Sequence, residues 1–137
     1  MLANGWGRVL IISSESALQI PTEMIHYSTT KTAQLAVSRG LAELTTGTDV
    51  TVNTALPGPT FSEGMGDFIT SMAARSNVSV AEMEKDFFKN ACPTSIIKRL
   101  ATTQEVANLV AYLASPLALA TNGAAIRVDG GVSKTIA

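Results

Sequence analysis

The spacing of apolar and polar residues changes along the chain, and each spacing predicts one kind of element. A branched apolar run at residues 9–12 predicts a strand buried on both faces, and the β-branched residues of 49–55 predict a second strand. Between them, residues 14–26 contain proline and predict a loop, whereas apolar residues recur with helical spacing over 27–44. Gly47 is placed to end that helix. Residues 1–55 therefore predict strand, helix and strand.

The remaining residues predict more helices and one further strand. Residues 65–90 predict two short helices, the second opened by an S-x-x-E capping box at 79–82. A T-x-x-E capping box at 102–105 precedes the clearest amphipathic helix in the chain, and residues 123–128 predict the last strand. Strands that alternate with helices form βαβ units with parallel strands, so the predicted fold class is α/β.

Size and composition narrow the functional classes. The 137 residues suit one domain, and the net charge of −1 gives no electrostatic reason to expect nucleic acid or an anionic membrane as a partner. The single cysteine, Cys92, permits no intrachain disulfide and is expected to be an apolar filler in a reducing compartment. No apolar stretch reaches the length of a membrane span, no signal peptide opens the chain and no Cys/His cluster indicates a metal site. We therefore expect a cytoplasmic protein without a metal.

The candidate chemistry lies in Ser14, Tyr27 and Lys31. Tyr27 and Lys31 are four residues apart, about one helical turn, so their side chains project from the same face of the predicted helix. A cation beside a phenol favours the phenolate, which can accept or pass on a proton. Ser14 follows the first predicted strand, where its hydroxyl would hold a carbonyl oxygen. This set of groups suits proton transfer to or from a carbonyl or alcohol oxygen.

Four segments in this order resemble the second half of the short-chain dehydrogenases/reductases. They are GRVLIISS at 7–14, YSTTK at 27–31, VNTALPG at 52–58 and RVDGG at 127–131. No glycine-rich G-x-G-x-x-G turn of the kind that binds a dinucleotide pyrophosphate follows a strand. The resemblance therefore implies one partial domain over 1–137: the C-terminal half of a Rossmann-like, doubly wound parallel sheet, without the N-terminal dinucleotide-binding half.

The resemblance also implies roles for individual residues. Tyr27 would donate or accept the proton at the reacting oxygen, and Lys31 would assist it and hold the nicotinamide ribose. The family's serine lies about thirteen residues before its tyrosine, which favours Ser14 over Ser13 as the residue that orients the substrate.

The cofactor expected from the resemblance is NAD or NADP. Pro57, Gly58, Thr60 and Ser62 would line the nicotinamide pocket after the second strand, although the family usually has threonine at the position of Ser62. Asn53, just before this pocket, is expected to be a structural hydrogen-bonding residue.

Two functions remain open at this stage. The first is an oxidoreductase fragment that acts on a small carbonyl or alcohol substrate, with the Met- and Phe-rich residues 62–95 as a mobile lid or as ordinary packed helices. The second is a truncated, non-catalytic chain that serves as an interaction module. The first strand should have one open edge, and the helix that begins near Tyr27 matches surfaces through which the family assembles, so we expect a homodimer or homotetramer.

Overall fold

The computed structural model describes residues 1–136 and contains nine helices and strands over that range. In chain order they are β1 (Trp6–Ile12), α1 (Ile25–Glu43), β2 (Asp49–Pro57), β3 (Thr60–Phe61), α2 (Glu63–Ser76), α3 (Val80–Asn90), β4 (Ala101–Thr102), α4 (Thr103–Ala114) and β5 (Ala125–Val128). Four short 3₁₀ turns connect them, at Leu2–Asn4, Glu15–Ala17, Thr22–Met24 and Pro116–Ala118.

The central sheet has three parallel strands in the order β1-β2-β5. Val9 of β1 lies opposite Val52 of β2, and Ala55 of β2 lies opposite Ile126 of β5. Helices α1 and α4 both contact the sheet. The predicted α/β class, with parallel strands and helices packed on the sheet, is confirmed.

Burial separates the two long strands and corrects one prediction. Residues 50–56 of β2 are all buried, because this strand has a neighbour on each side. Strand β1 is mostly half-buried, and its ends, Trp6 and Ile12, are 52% and 46% exposed. The prediction that the run at 9–12 is buried on both faces is therefore wrong. Within residues 1–136 β1 pairs only with β2, so the expected open edge is confirmed.

Helix α1 extends beyond its predicted start and ends without using the predicted glycine. It begins at Ile25, and it ends at Glu43 with Leu44 as its C-terminal cap. Gly47 instead lies in the following turn with a φ of 77°, a conformation that glycine adopts without steric cost. The turn leads directly into β2.

The side-chain amides of Asn53 and Asn122 join the centre of the sheet to its surroundings. Asn53 is fully buried, donates to the Thr121 carbonyl at 2.7 Å and accepts the backbone N–H of Ala124 at 3.1 Å. Asn122 donates to the Thr45 hydroxyl at 2.8 Å. The expected structural role of Asn53 is confirmed, because its amide satisfies backbone groups that would otherwise be buried without partners.

The residues between β3 and β4 form a small helical unit, made of α2 and α3, with its own core. The buried members of that core are Ile69, Ala73, Met83, Phe88 and Leu100, with Met65, Phe87 and Cys92 packed against them. Phe61, Phe68 and Met72 remain exposed. Helix packing therefore accounts for part of the Met- and Phe-rich segment, and Cys92 is a partly buried filler.

Both predicted capping boxes are present, at Ser79 with Glu82 and at Thr102 with Glu105. The parallel pair β3–β4, which joins the two ends of the helical unit, was not predicted.

None of the helices within residues 1–136 is both long and apolar enough to cross a bilayer.

Candidate active site

Three parallel strands end at the same edge of the sheet, and the candidate residues follow those ends. Strand β1 leads into Ser13 and Ser14, β2 leads through Pro57 into Gly58, and β5 leads into Asp129. Ligand sites in open α/β sheets lie in general at the carboxyl ends of the strands. This edge is therefore where a ligand is expected.

Lys31 connects helix α1 to the end of β1. Its ammonium donates to the Ile12 carbonyl at 3.2 Å and lies 5.6 Å from the centroid of the Tyr27 ring. The Ser13 hydroxyl donates to the backbone carbonyl of Lys31 at 2.9 Å, so the two segments are joined in both directions. An ammonium has three donors, and the bond to Ile12 occupies one of them. Lys31 and Tyr27, both partly buried, thus share one face beside the serines.

Ser14 is held in a turn of its own. Its hydroxyl oxygen accepts the backbone N–H of Ser16 at 3.1 Å, which caps the 3₁₀ turn Glu15–Ala17. Its proton is donated to the Glu15 carboxylate at 2.6 Å. Sequence reasoning missed Glu15, and the only signal available was a charged residue directly after the candidate serine. In this conformation the single O–H donor of Ser14 is engaged by Glu15.

The loop after β2 lies tightly against the end of β5. The backbone N–H of Gly58 donates to the Val128 carbonyl at 3.3 Å, and a Cβ at Gly58 would come within 2.7 Å of the Asp129 Cα. Thr60 donates its hydroxyl to the Gly58 carbonyl at 2.9 Å. Pro57 and Gly58 therefore lie at the shared sheet edge, whereas the Thr60 hydroxyl stabilises the loop itself.

Ser62 lines a cleft at the amino end of α2. Its side chain makes no capping hydrogen bond to the helix. The cleft has a volume of about 390 Å³, and Ser62 lines it together with Phe61, Glu63, Gly66, Asp67, Thr70 and Thr103. The hydroxyl and the first N–H groups of α2 offer hydrogen-bond donors there. Within residues 1–136 no hydrogen bond joins Ser62 to Ser14, Tyr27 or Lys31.

The negative charge of Glu15, in the turn after Ser14, acts on the Cys92 thiol at the end of the helical unit. Burial, and after it the negative charge of Glu15, raise the pKa of the Cys92 thiol above its usual value. Cys92 follows α3, so the carboxylate is close enough to the helical unit to affect a thiol there. Residues 1–136 contain no group of three or more His, Cys, Asp and Glu side chains that could hold a metal ion.

Sequence comparison shows similarity to proteins named as reductases and oxidoreductases. A family model described as Enoyl-(Acyl carrier protein) reductase matches residues 1–133. The chain is similar to the uncharacterized oxidoreductase YvaG of Bacillus subtilis, with 49% identity over 99% of this chain and 52% of that protein. It is also similar to the 3-oxoacyl-(acyl-carrier-protein) reductase FabG of Aquifex aeolicus, with 33% identity over 96% of this chain and 47% of that protein. The chain thus spans about half the length of these relatives.

Solved structures share the fold. L-sorbose reductase from Gluconobacter frateurii, complexed with NADPH and L-sorbose, superposes with a TM-score of 0.90 and 26% identity, over 99% of this chain and 51% of that chain. A variant of actinorhodin polyketide ketoreductase with NADPH gives a TM-score of 0.82 and 27% identity, over 98% of this chain and 50% of that chain. These matches confirm the Rossmann-like character of the parallel sheet.

Proposed function

Because this chain belongs to the short-chain dehydrogenase/reductase family, we propose that it is the C-terminal, catalytic half of an NAD(P)-dependent oxidoreductase. The observation that carries the proposal is the position of Lys31, whose ammonium contacts the end of β1 and lies beside the Tyr27 ring. The substrate we propose is a small carbonyl compound or alcohol.

The donor groups at the sheet edge fit a nicotinamide nucleotide. Lys31 keeps two ammonium donors beyond its bond to Ile12, which suits the vicinal hydroxyls of a ribose. Because Gly58 has no side chain, the loop lies directly against the Asp129 backbone, which keeps Pro57 and Gly58 at the sheet edge where the nicotinamide is proposed to bind. The solved relatives named above were determined with NADPH. When bound, the cofactor supplies or takes the hydride.

Tyr27 and Lys31 have complementary roles in the proposed mechanism. Tyr27 passes a proton to the substrate oxygen during reduction and takes it back during oxidation. Lys31 places its positive charge beside the Tyr27 ring, where it stabilises the negative charge that develops on the phenol oxygen as the proton leaves. The bonds of Lys31 to the end of β1 fix the ammonium beside the phenol, so no reorganisation is needed as charge develops.

Ser14 rather than Ser13 is our proposal for the group that orients the substrate. The Ser13 hydroxyl is used within the fold, since it donates to the Lys31 carbonyl. In the part of the chain that the structure describes, the Ser14 hydroxyl bonds only to its own turn, through Glu15 and Ser16, and it can exchange its proton acceptor by rotation about one bond. Ser14 then donates to the substrate oxygen and holds it for Tyr27.

The helical unit supplies the proposed substrate cover. Phe61, Phe68 and Met72 remain exposed on residues 62–95 and the strand before them, so apolar side chains are available to enclose a ligand.

We also propose assembly into a homodimer or homotetramer, because Val37, Leu41 and Leu44 leave apolar surface exposed along α1. Thr60 in β3 and Ser62, which directly precedes α2, are also proposed to contribute to the nicotinamide pocket.

The experiment is a titration of the purified protein, as its gene encodes it, with NADPH and NADH, followed by turnover on a panel of aldehydes and ketones. Saturable binding with carbonyl-dependent oxidation of either nucleotide is the expected result. Absence of both binding and turnover would instead favour an interaction module. The open edge of β1 is the observation that favours that second candidate.

A further inference from the structure

Glu15 places a carboxylate directly beside the serine proposed to orient the substrate. Its Oε2 accepts the Ser14 hydroxyl at 2.6 Å, and its Oε1 lies 3.4 Å from the Ser16 hydroxyl. The residue is partly buried. The hydroxyls of Ser14 and Ser16 are the hydrogen-bond donors that lie beside this carboxylate.

Within the described residues 1–136, no basic side chain forms an ion pair with this carboxylate. The ion pairs within residues 1–136 are Arg39–Glu43 and Arg99–Glu105, and neither involves Glu15. The two serine hydroxyls are neutral donors, so they satisfy hydrogen bonds without cancelling the negative charge. A partly buried carboxylate in this state attracts a cation and repels an anion.

The position of Glu15 puts that charge where substrate substituents are expected. The carboxylate follows the end of β1 and adjoins Ser14, and its influence reaches Cys92 at the end of the proposed substrate cover. A substrate whose oxygen contacts Ser14 brings its neighbouring atoms close to Glu15. Glu15 therefore carries its charge directly beside the serine that is proposed to hold the substrate oxygen.

We propose that Glu15 is a specificity-determining residue that selects carbonyl or alcohol substrates bearing an ammonium group near the reacting carbon. This rests on the proposed function, because it takes Ser14 and Tyr27 as the groups that hold the reacting oxygen. An ammonium that pairs with Glu15 competes with the Ser14 hydroxyl for the same carboxylate. The Ser14 hydroxyl can then donate its hydrogen bond to the substrate oxygen. The ammonium group of the substrate would therefore bind to Glu15 and also free Ser14 to orient the carbonyl.

The test compares three ketones of equal size that carry an ammonium, a methyl or a carboxylate group at the same distance from the carbonyl carbon. For each, kcat/KM is measured with the protein as its gene encodes it and with Glu15→Gln, which keeps the side-chain volume and an acceptor oxygen. The measured quantity is the preference for the ammonium ketone over the methyl ketone. This ratio is independent of how much of each preparation is folded, because both substrates meet the same enzyme.

We expect Glu15→Gln to lower that preference about tenfold, the usual size of a lost hydrogen bond to a charged group. Glu23→Gln is the matched control, since the Glu23 carboxylate also accepts a neighbouring hydroxyl, from Thr22 at 3.2 Å, and its removal changes the net charge equally. The control is expected to keep the wild-type preference.

An unchanged preference in Glu15→Gln, or a wild-type preference for the carboxylate ketone, would overturn the inference alone, provided that Tyr27→Phe abolishes turnover of all three ketones. Full turnover by Tyr27→Phe would overturn the proposed function instead. A wild-type protein that reduces none of the three ketones would contradict both.

Discussion

The ammonium nitrogen of Lys31 lies 5.6 Å from the centroid of the Tyr27 ring. The same nitrogen bonds to the Ile12 carbonyl, and the backbone of Lys31 accepts the Ser13 hydroxyl. A single turn of α1 is thereby fastened to the end of β1. The geometry of the candidate site thus follows from the packing of one helix against one strand end.

Replacement of Lys31 by methionine should impair both cofactor binding and turnover. The variant keeps an unbranched apolar side chain but loses the charge and its donors. Since hydrogen bonds to charged groups contribute about 1.5–3 kcal/mol, we expect kcat/KM to fall roughly tenfold to hundredfold. Steady-state kinetics and dinucleotide titration measure the two effects. Lys89→Met, on the exposed surface of α3, is the matched control, and equal behaviour of the two variants would refute the role of Lys31.

Gly58→Ala should destabilise the protein. The added Cβ would come within 2.7 Å of the Asp129 Cα and carbonyl oxygen, and backbone atoms cannot move aside easily. We expect a loss of about 2 kcal/mol in the free energy of unfolding, within the range typical of overpacking. Urea denaturation measures it.

Gly40→Ala is the control for the loss of a glycine. A Cβ at Gly40 meets nothing within 4 Å, and the residue lies inside helix α1. This variant should gain about 0.5–1 kcal/mol, because alanine restricts the unfolded chain more than glycine does. A Gly58→Ala protein as stable as the wild type would show that the loop does not lie against β5.

Asn53→Ala should also be strongly destabilising. It leaves the Thr121 carbonyl and the Ala124 N–H, both in partly buried positions, without their partner. Buried groups left unpaired cost about 1–3 kcal/mol each, so we expect a loss of about 3 kcal/mol in the free energy of unfolding.

Asn108→Ala, on the exposed surface of α4, is the matched control for Asn53→Ala. The Asn108 side chain accepts a hydrogen bond from Gln104 at the surface, and its loss should change the free energy of unfolding by less than about 0.5 kcal/mol. Similar losses in the free energy of unfolding of the two variants would show that the hydrogen bonds of Asn53 stabilise the fold no more than one at the surface.

The start of α4 should give the protein an acid-sensitive component of stability. Hydrogen bonds from the Arg99 guanidinium, and then from the Thr102 backbone N–H, lower the pKa of Glu105 from its usual 4.5 to about 2. A pKa that is lower in the folded state stabilises the protein above the unfolded value, and this contribution disappears as the pH falls from about 4.5 to about 2.

Glu105→Gln should therefore lose less stability than the wild type over that pH range. Urea denaturation at about pH 5 and about pH 2.5 measures the difference. Because both side chains of the pair are exposed, high salt should reduce it. Identical pH dependence in the two proteins would show that the Arg99–Glu105 pair does not contribute.

The sequence predicted the order of the main elements, because periodicity and capping are local properties. The boxes at Ser79 and Thr102 bond within one helical turn, and both are present. Burial of the strands was harder to predict, since β2 becomes central only through pairing with β5, about seventy residues later. The pair β3–β4 has two residues in each strand, too few for any pattern to appear.

For the site, the sequence indicated which residue types lie near each other but not how their hydrogen bonds are arranged. The four-residue spacing of Tyr27 and Lys31 correctly predicted a shared helical face. The commitment of Ser13 to the Lys31 backbone and of Ser14 to Glu15 depends on side-chain rotamers, on which periodicity carries no information. Ser14, Pro57, Gly58, Thr60 and Ser62 remain proposals as ligand contacts.

The most direct test of proton transfer by Tyr27 uses the only two tyrosines in the chain. Tyr27→Phe removes one hydroxyl from the candidate site, and Tyr112→Phe removes the other from the exposed surface of α4. The kcat/KM for carbonyl reduction is measured for both variants and for the wild type. We predict a loss of about 10²–10⁴-fold for Tyr27→Phe, the usual contribution of a general acid, with nucleotide binding retained and Tyr112→Phe unaffected. Turnover by Tyr27→Phe at the wild-type rate would contradict the assignment of Tyr27 as the proton donor.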